Sequence, residues 1–195
     1  MFHVKKHLQA GVCVIFLVLL GAWASSQMMQ RAQPKISPWL QSLGGDFTLQ
    51  SADGAVSLHD YHGRLVLLYF GYTHCPDACP MAMSVIASAL NSAPPHDAAG
   101  IFISLDPRRD TPAILRDYTA FFHPDLVGLT ADAATLASTA EQWRVIYHVP
   151  DVSDNSFYTV EHSTFIYLIN RHGKVVELFN EKTPMQDIQR AMRLW

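Results

Sequence analysis

The stretch YFGYTHCPDACPMAM, residues 69–83, is the most informative part of this sequence. Its two cysteines, Cys75 and Cys79, are the only ones outside an apolar run near the N-terminus, and a proline follows each. The segment RLVLLYF, 64–70, is almost continuously apolar and predicts a buried central strand. Pro80 suits the first turn of a helix whose body is MAMSVIASALNSA, 81–93. The sequence therefore predicts a strand, a loop with paired cysteines and a helix in succession.

The spacing of Cys75 and Cys79 allows either redox or metal chemistry. Residues four apart share one helical face, and their Cα atoms are about 6 Å apart, which a disulfide can span and a single metal ion can bridge. A helix N-terminus also stabilises the thiolate, which is both nucleophile and metal ligand. An inert staple is disfavoured because it would enclose only three residues. A structural zinc site would need two further ligands from scattered histidines and carboxylates.

Strands and helices alternate along the rest of the chain. Asp53-Gly54 indicates a hairpin turn. Further predicted strands are 100–106, 125–130, 144–149, 157–160, 163–170 and 174–180, and predicted helices are 109–122, 132–144 and 183–195, capped by Thr111, Asp132 and Thr183. This order predicts an α/β protein with a thioredoxin-like fold, in which a mixed central sheet carries helices on both faces.

The N-terminus has the pattern of a targeting segment. Lys5 and Lys6 precede an uncharged run at 8–24, which is just long enough to span a bilayer. We expect one N-terminal transmembrane helix, although Ala22-Trp23-Ala24 also fits a signal-peptide cleavage site. The predicted organisation is a membrane anchor or uncleaved signal segment at 1–27, a linker at 28–41 and a thioredoxin-like domain at 42–195.

Charge and composition narrow the possible partners. The chain has 195 residues, of which 49% are apolar and 16% charged, and its formal charge is −3. Lys and Arg do not cluster beyond Lys5-Lys6 and Arg108-Arg109, so no nucleic-acid partner is predicted. The motif DPRRDTP, 106–112, predicts a turn and a helix start, with Arg108 or Arg109 pairing with Asp110.

Three motifs together resemble the signature blocks of the Sco/SenC family. They are GYTHCPDACP at 71–80, SLDPRRDTP at 104–112 and YTVEHSTFIYLI at 158–169. The resemblance covers about residues 42–195, although Ala78 stands where the family usually has a β-branched residue and Glu161 where it often has Asp. Neither change removes a ligand. The family consists of membrane-anchored, thioredoxin-like proteins, and the resemblance implies that Cys75, Cys79 and His162 bind copper.

The position of His162 supports it as a third ligand independently. It lies just before the predicted late central strand, where thioredoxins place a cis-proline facing the cysteine loop, and this chain has no proline between Pro150 and Pro184. Two thiolates and an imidazole form a soft set that suits Cu(I). His74 is the rival ligand, but its place beside Cys75 directs it away from a shared centre. Asp77 is expected to accept backbone hydrogen bonds in the loop or to tune the charge on the sulfurs, rather than to bind the metal.

The resemblance implies a copper metallochaperone rather than an enzyme. Its recipient would be the CuA site of cytochrome c oxidase subunit II. We expect a monomer in the inner (cytoplasmic) membrane with the folded domain facing the periplasm. The alternative is a membrane-anchored thiol–disulfide oxidoreductase that reduces partner cysteines, which needs two thiols but not His162. A copper relay through methionines is disfavoured, because these residues are expected in the core or the linker: Met28, Met29, Met81 and Met83.

Overall fold

The computed structural model describes residues 15, 18–23, 35–151 and 157–195. Residues 18–23 are helical. Across the described ranges, no helix is both long enough and apolar enough for a membrane span. The predicted run at 8–24 lies largely outside these ranges, and the predicted linker at 28–41 lies partly outside them. Residues 36–195 form one compact unit.

The regular elements of the described part of this unit are strands and helices of widely different lengths. In chain order they are α1 (Pro38–Gln41), β1 (Thr48–Ser51), β2 (Gly54–Ser57), a 3₁₀ turn (Leu58–Tyr61), β3 (Leu65–Gly71), α2 (Ala78–Ser92), β4 (Ala98–Ser104), α3 (Pro112–Phe122), β5 (Leu126–Leu129), α4 (Ala133–Gln142), β6 (Tyr147–His148), β7 (Glu161–His162), β8 (Ile166–Ile169), β9 (Val175–Phe179) and α5 (Met185–Leu194).

The central sheet is mixed, with strand order β5-β4-β3-β8-β9. Strands β3, β4 and β5 are parallel, whereas β8 runs antiparallel to β3 and β9 antiparallel to β8. All seven residues of β3 are buried, and β3 is the middle strand of the five. The prediction of a central strand immediately before the cysteines is therefore confirmed, as is the mixed α/β fold.

Helices cover both faces of this sheet. Tyr69 and Phe70 are successive residues of β3, so their side chains point to opposite faces. The Tyr69 ring stacks on Phe102 with centroids 6.4 Å apart, and Phe102 contacts Tyr118 of α3 at 5.3 Å. The Phe70 ring contacts Trp143, which directly follows α4, at 6.1 Å. The buried core therefore lies in two layers, one on each side of β3.

Of the three predicted helix caps, Thr111 and Asp132 are confirmed and Thr183 is not. The Thr111 hydroxyl accepts a hydrogen bond from the Ile114 amide at 3.4 Å, and the Asp132 carboxylate caps α4. The prediction that Thr183 caps the last helix is wrong, because α5 begins after Pro184 with no side-chain cap. The Thr183 hydroxyl instead accepts from the Asn180 amide at 3.0 Å, so it stabilises the preceding turn.

The predicted strand at 157–160 is also wrong. These residues have no regular structure, and the strand lies just downstream, as β7 at Glu161–His162. β7 pairs with β6, so that Tyr147 lies opposite His162 and His148 opposite Glu161. The predicted strand at 144–149 shortens to β6 in the same way. Val145, Tyr158 and Val160 of these segments are buried without joining a longer ladder, whereas Ile146 and Phe157 are exposed.

Candidate metal centre

The cysteine loop starts where β3 ends at Gly71. This glycine is required by a close approach, because a Cβ atom there would lie 2.8 Å from the Cys79 sulfur and 2.9 Å from both the Tyr69 and Phe102 rings. Cys79 lies in the first turn of α2 and is completely buried against the strand. The absence of a side chain at Gly71 therefore leaves space for the Cys79 sulfur.

The sulfur of Cys75 takes the place of a helix cap. Asp77 is the residue before α2, yet its side chain makes no capping hydrogen bond. The Cys79 amide instead donates to the Cys75 sulfur at 3.4 Å. An amide at a helix N-terminus favours negative charge on its acceptor, so this contact stabilises a Cys75 thiolate.

His162, in β7, approaches the same sulfurs from a segment that is distant in the sequence. Its Nε2 atom lies 3.5 Å from the Cys79 sulfur, while Nδ1 lies 2.9 Å from the carbonyl oxygen of Ser163. A carbonyl can only accept, so the proton belongs on Nδ1 and the Nε2 lone pair faces the cysteines. The ligand atoms of Cys75, Cys79 and His162 all lie within 4.8 Å of one another. Within the described part of the chain, this is the one such group of three that could hold a metal ion.

The pKa values of the two cysteines are shifted in opposite directions. The Cys79 thiol donates to the Cys75 sulfur, which is the main reason that the pKa of Cys75 is lowered to about 3, with the backbone amides of Asp77 and Cys79 adding to the effect. The same contact, together with burial, raises the pKa of Cys79 well above its ordinary value. The metal-free, reduced pair therefore holds one proton on Cys79 and one negative charge on Cys75, and the half-buried Cys75 is the more accessible of the two.

The rival candidate ligands lie outside this group. His74 is half exposed, and its Nδ1 atom lies 3.1 Å from the Thr73 hydroxyl and 3.9 Å from Asp110. Met83 is completely buried in the core, as expected, whereas the prediction that Met81 lies in the core is wrong, because Met81 is exposed on α2. Met28 and Met29 lie outside the described residues.

Two buried aspartates of the DPRRD motif, Asp106 and Asp110, form contacts near the site that the sequence did not predict. Asp110 accepts hydrogen bonds from the Thr73 amide at 2.9 Å, from the Thr73 hydroxyl at 2.5 Å and from the Ser104 hydroxyl at 2.6 Å. The predicted pairing of an arginine with Asp110 is wrong for Arg109, because Arg109 forms its ion pair with Asp106. The sequence signal that could have identified these roles was position, since Ser104 ends β4 and Thr73 follows the end of β3, its parallel neighbour.

The fold and site together define a thioredoxin-like protein with a Cys-Cys-His group at the end of its central strand. A family model described as SCO1/SenC matches residues 38–195. Similar proteins include an SCO2-like protein of Rickettsia felis, 34% identical over 77% of this chain and 76% of the relative. The mitochondrial SCO2 homolog of Bos taurus is 35% identical over 76% of this chain and 58% of its own. The chain belongs to the SCO1/SenC family.

Solved structures of relatives agree with this assignment. Bradyrhizobium japonicum ScoI with copper bound superposes with a TM-score of 0.70, at 36% identity over 77% of this chain and 98% of that one. Arabidopsis thaliana ScoI with copper bound also gives 0.70, at 32% identity over 78% of this chain and 97% of that one. A third structure describes a disulfide switch in BsSco, with a TM-score of 0.64 and 26% identity over 83% of this chain and 97% of that one.

Proposed function

We propose that this chain is a copper metallochaperone that delivers copper to the CuA site of cytochrome c oxidase subunit II. The observation that carries the proposal is the convergence of Cys75, Cys79 and His162, whose ligand atoms lie within 4.8 Å of one another. Two thiolates and one neutral imidazole suit Cu(I). The copper-bound structures of two family members, from Bradyrhizobium japonicum and Arabidopsis thaliana, support copper as the cargo.

The surroundings of the site suit the transfer of a bound copper ion to an acceptor protein. Cys79 is buried, but Cys75 and His162 are only partly so, and a groove of about 280 Å³ opens beside His162. A three-ligand copper ion leaves one side free for an incoming ligand from an acceptor protein, so copper can pass without ever being uncoordinated. His162 comes from a segment far from the cysteines in sequence, so its withdrawal would weaken binding without disturbing the sulfurs.

The proposal includes the organisation of the chain. Residues 1–27 act as a membrane anchor, residues 28–41 as a linker, and residues 42–195 as the copper-binding domain. The positive charges of Lys5 and Lys6 support an N-terminus that stays inside, with the folded domain facing the periplasm. We propose that the domain acts there as a monomer on the inner membrane.

Metal analysis tests the copper function directly. The reduced full chain is loaded with Cu(I), exchanged into buffer and analysed for bound copper, beside Cys75→Ala and Cys79→Ala. We expect about one copper per chain in the wild type and almost none in either variant, because one thiolate with one imidazole holds Cu(I) poorly. Equal copper in all three proteins would overturn the proposed site.

A thiol–disulfide oxidoreductase is the second candidate, favoured by the unequal cysteines. A lowered pKa at the accessible Cys75 and a protonated, buried Cys79 are what a nucleophile and a resolving thiol require. Reduction of an oxidised dithiol protein is the assay, with wild type compared with His162→Ala. Reductase activity that survives in His162→Ala, in a chain that does not retain copper, would favour this function over the first.

A further inference from the structure

Arg109 connects the two segments that carry the candidate ligands. Its guanidinium carbon lies 3.5 Å from the ring centroid of Tyr158 and 5.7 Å from that of Tyr72. Tyr158 lies four residues before His162, and Tyr72 lies three residues before Cys75. The cation therefore stacks between the approach to the imidazole and the start of the cysteine loop.

Asp106 completes this arrangement, which we call the arginine clamp (Asp106, Arg109 and Tyr158). The Arg109 Nε atom forms an ion pair with the fully buried Asp106 carboxylate. The Tyr158 hydroxyl donates to the same carboxylate at 2.7 Å, and Arg109 Nη1 donates to the Tyr158 carbonyl at 3.0 Å. Each member contacts the other two. A planar guanidinium can make these bonds and stack at the same time, whereas an ammonium cannot.

Other contacts also hold the His162 segment, including three hydrogen bonds between Ser163 and Ile146. Its strand β7 has two residues, and it pairs with the two residues of β6. The His162 ring also packs edge-on against Tyr69 at 6.0 Å and Tyr72 at 5.9 Å. Arg109 therefore acts on the imidazole by two routes, through the backbone that leads from Tyr158 and through the ring of Tyr72.

We propose that Arg109 is a positioning residue that keeps His162 within reach of the two sulfurs and so sets how tightly copper is retained. The inference rests on the proposed copper function, but its prediction is separate. If Arg109 works through His162, removing the clamp weakens copper binding only in a chain that still has His162.

A double-mutant cycle on the full chain tests this. Cu(I) affinity is measured by chelator competition for wild type, Arg109→Lys, His162→Ala and the double variant. Lysine keeps a positive charge beside Asp106 but lacks the planar guanidinium that stacks on the Tyr158 ring. We expect Arg109→Lys to weaken affinity about tenfold, as for other groups that orient a metal ligand, and to add nothing to His162→Ala. The control is Arg116→Lys, since Arg116 is exposed and pairs with its neighbour Asp117.

A measurement on the metal-free protein gives an independent result. The ring resonances of His162 are followed by NMR in wild type, Arg109→Lys and Arg116→Lys. We expect them to move only in Arg109→Lys, because the packing of the imidazole against Tyr69 and Tyr72 loosens. An unmoved His162 signal, an unchanged affinity, or an equal loss of affinity with and without His162 would each overturn the inference. A wild type that does not retain copper would refute the proposed function instead, and the NMR comparison would still decide on the clamp.

Discussion

At the scale of single residues, the two cysteines of one motif perform different tasks. Cys75 caps the start of α2 through its sulfur and is partly accessible, whereas Cys79 is packed against Gly71 with no exposed surface. Their spacing predicts that a thiolate is stabilised at the helix start. It does not predict which sulfur carries the charge, because that depends on the hydrogen bond between the two thiols and on the burial of each in the folded structure.

This asymmetry predicts how the reduced, metal-free chain reacts with iodoacetamide. The pKa of Cys75 is lowered to about 3, so Cys75 is a thiolate above that pH and its alkylation rate should change little between about pH 5 and pH 8. Cys79 should remain almost unmodified. Peptide mapping by mass spectrometry separates the sites. Cys79→Ala removes the main hydrogen bond to Cys75 and should move the rate profile to higher pH. A wild-type Cys75 rate that rises through about pH 8.5, as for an ordinary thiol, would contradict the assignment.

The pairing of Arg109 shows where sequence arguments reach their limit. Arg109 and Asp110 are adjacent, and the sequence suggested that they form a pair. In the structure, Asp110 is turned toward Thr73 and Ser104 at the ends of two strands, while Arg109 lies over Tyr158. Ion-pair partners depend on which strand ends meet, and this is a property of the tertiary fold.

At the scale of elements, the parts with strong local patterns were predictable and the short ones were not. β3 has a continuous apolar run, and α3 and α4 have a capping residue before them, so all three were predicted from the sequence. β7 has two residues, which is too few for any periodicity. β7 forms a strand only because the tertiary fold places β6 beside it. The identity of His162 could be predicted from its position before β8, but its geometry could not.

The junction of β3 and α2 makes a prediction for Gly71→Ala. The added methyl group would meet the Cys79 sulfur at 2.8 Å, so the thiol or the helix start must move. We expect lower stability by about 1–3 kcal/mol from overpacking, and slower formation of the Cys75–Cys79 disulfide. Urea unfolding and timed thiol titration measure the two effects.

Gly100→Ala is the matched control for this substitution. Gly100 lies in the neighbouring strand β4, and its added methyl group would meet side-chain atoms of Ile86 and Leu126 at 3.1 Å, away from the sulfurs. It should affect stability without changing the rate of disulfide formation. Identical disulfide kinetics in Gly71→Ala and wild type would show that Gly71 does not position Cys79.

At the scale of the whole molecule, one ion pair that contributes to stability lies at the end of the sheet opposite to the metal centre. Arg171, in the turn between β8 and β9, contacts Asp97 before β4 at 2.8 Å and donates to the carbonyl of Gly63 at 2.8 Å. The cysteine loop follows the other end of β3. Changes at the Arg171 end should therefore alter the free energy of unfolding and leave copper affinity unchanged.

Asp97→Asn tests this separation. The hydrogen bond from Arg171 lowers the pKa of Asp97, so the ion pair stabilises the fold above the ordinary aspartate pKa of about 3.9 and this contribution is lost as the pH falls below it. We expect Asp97→Asn to reduce the free energy of unfolding at pH 7 by less than about 1 kcal/mol, because both groups are partly exposed. The difference should shrink toward pH 3. Asp117→Asn, at an exposed pair, should change little at either pH, and a pH-independent loss in Asp97→Asn would contradict the argument.

The proposed anchor predicts where the whole chain is found in the cell. The chain should fractionate with the inner membrane and keep its first 24 residues, and a variant lacking residues 1–27 should not be membrane-bound. Fractionation with N-terminal sequencing decides between the two outcomes. A soluble, exported protein that begins at Ser25 would show that the segment is a cleaved signal peptide.

The central claim is that Cys75, Cys79 and His162 act together as one copper site, and chelator competition on His162→Ala tests it most directly. His162→Ala leaves both thiolates and should weaken Cu(I) retention by about 10- to 100-fold. It should not change the titration of the two thiols or the formation of their disulfide, which need only sulfur. His74→Ala, next to the cysteine loop but outside the ligand group, should bind copper like the wild type. Cu(I) affinity that is the same in His162→Ala and wild type would contradict the three-ligand site.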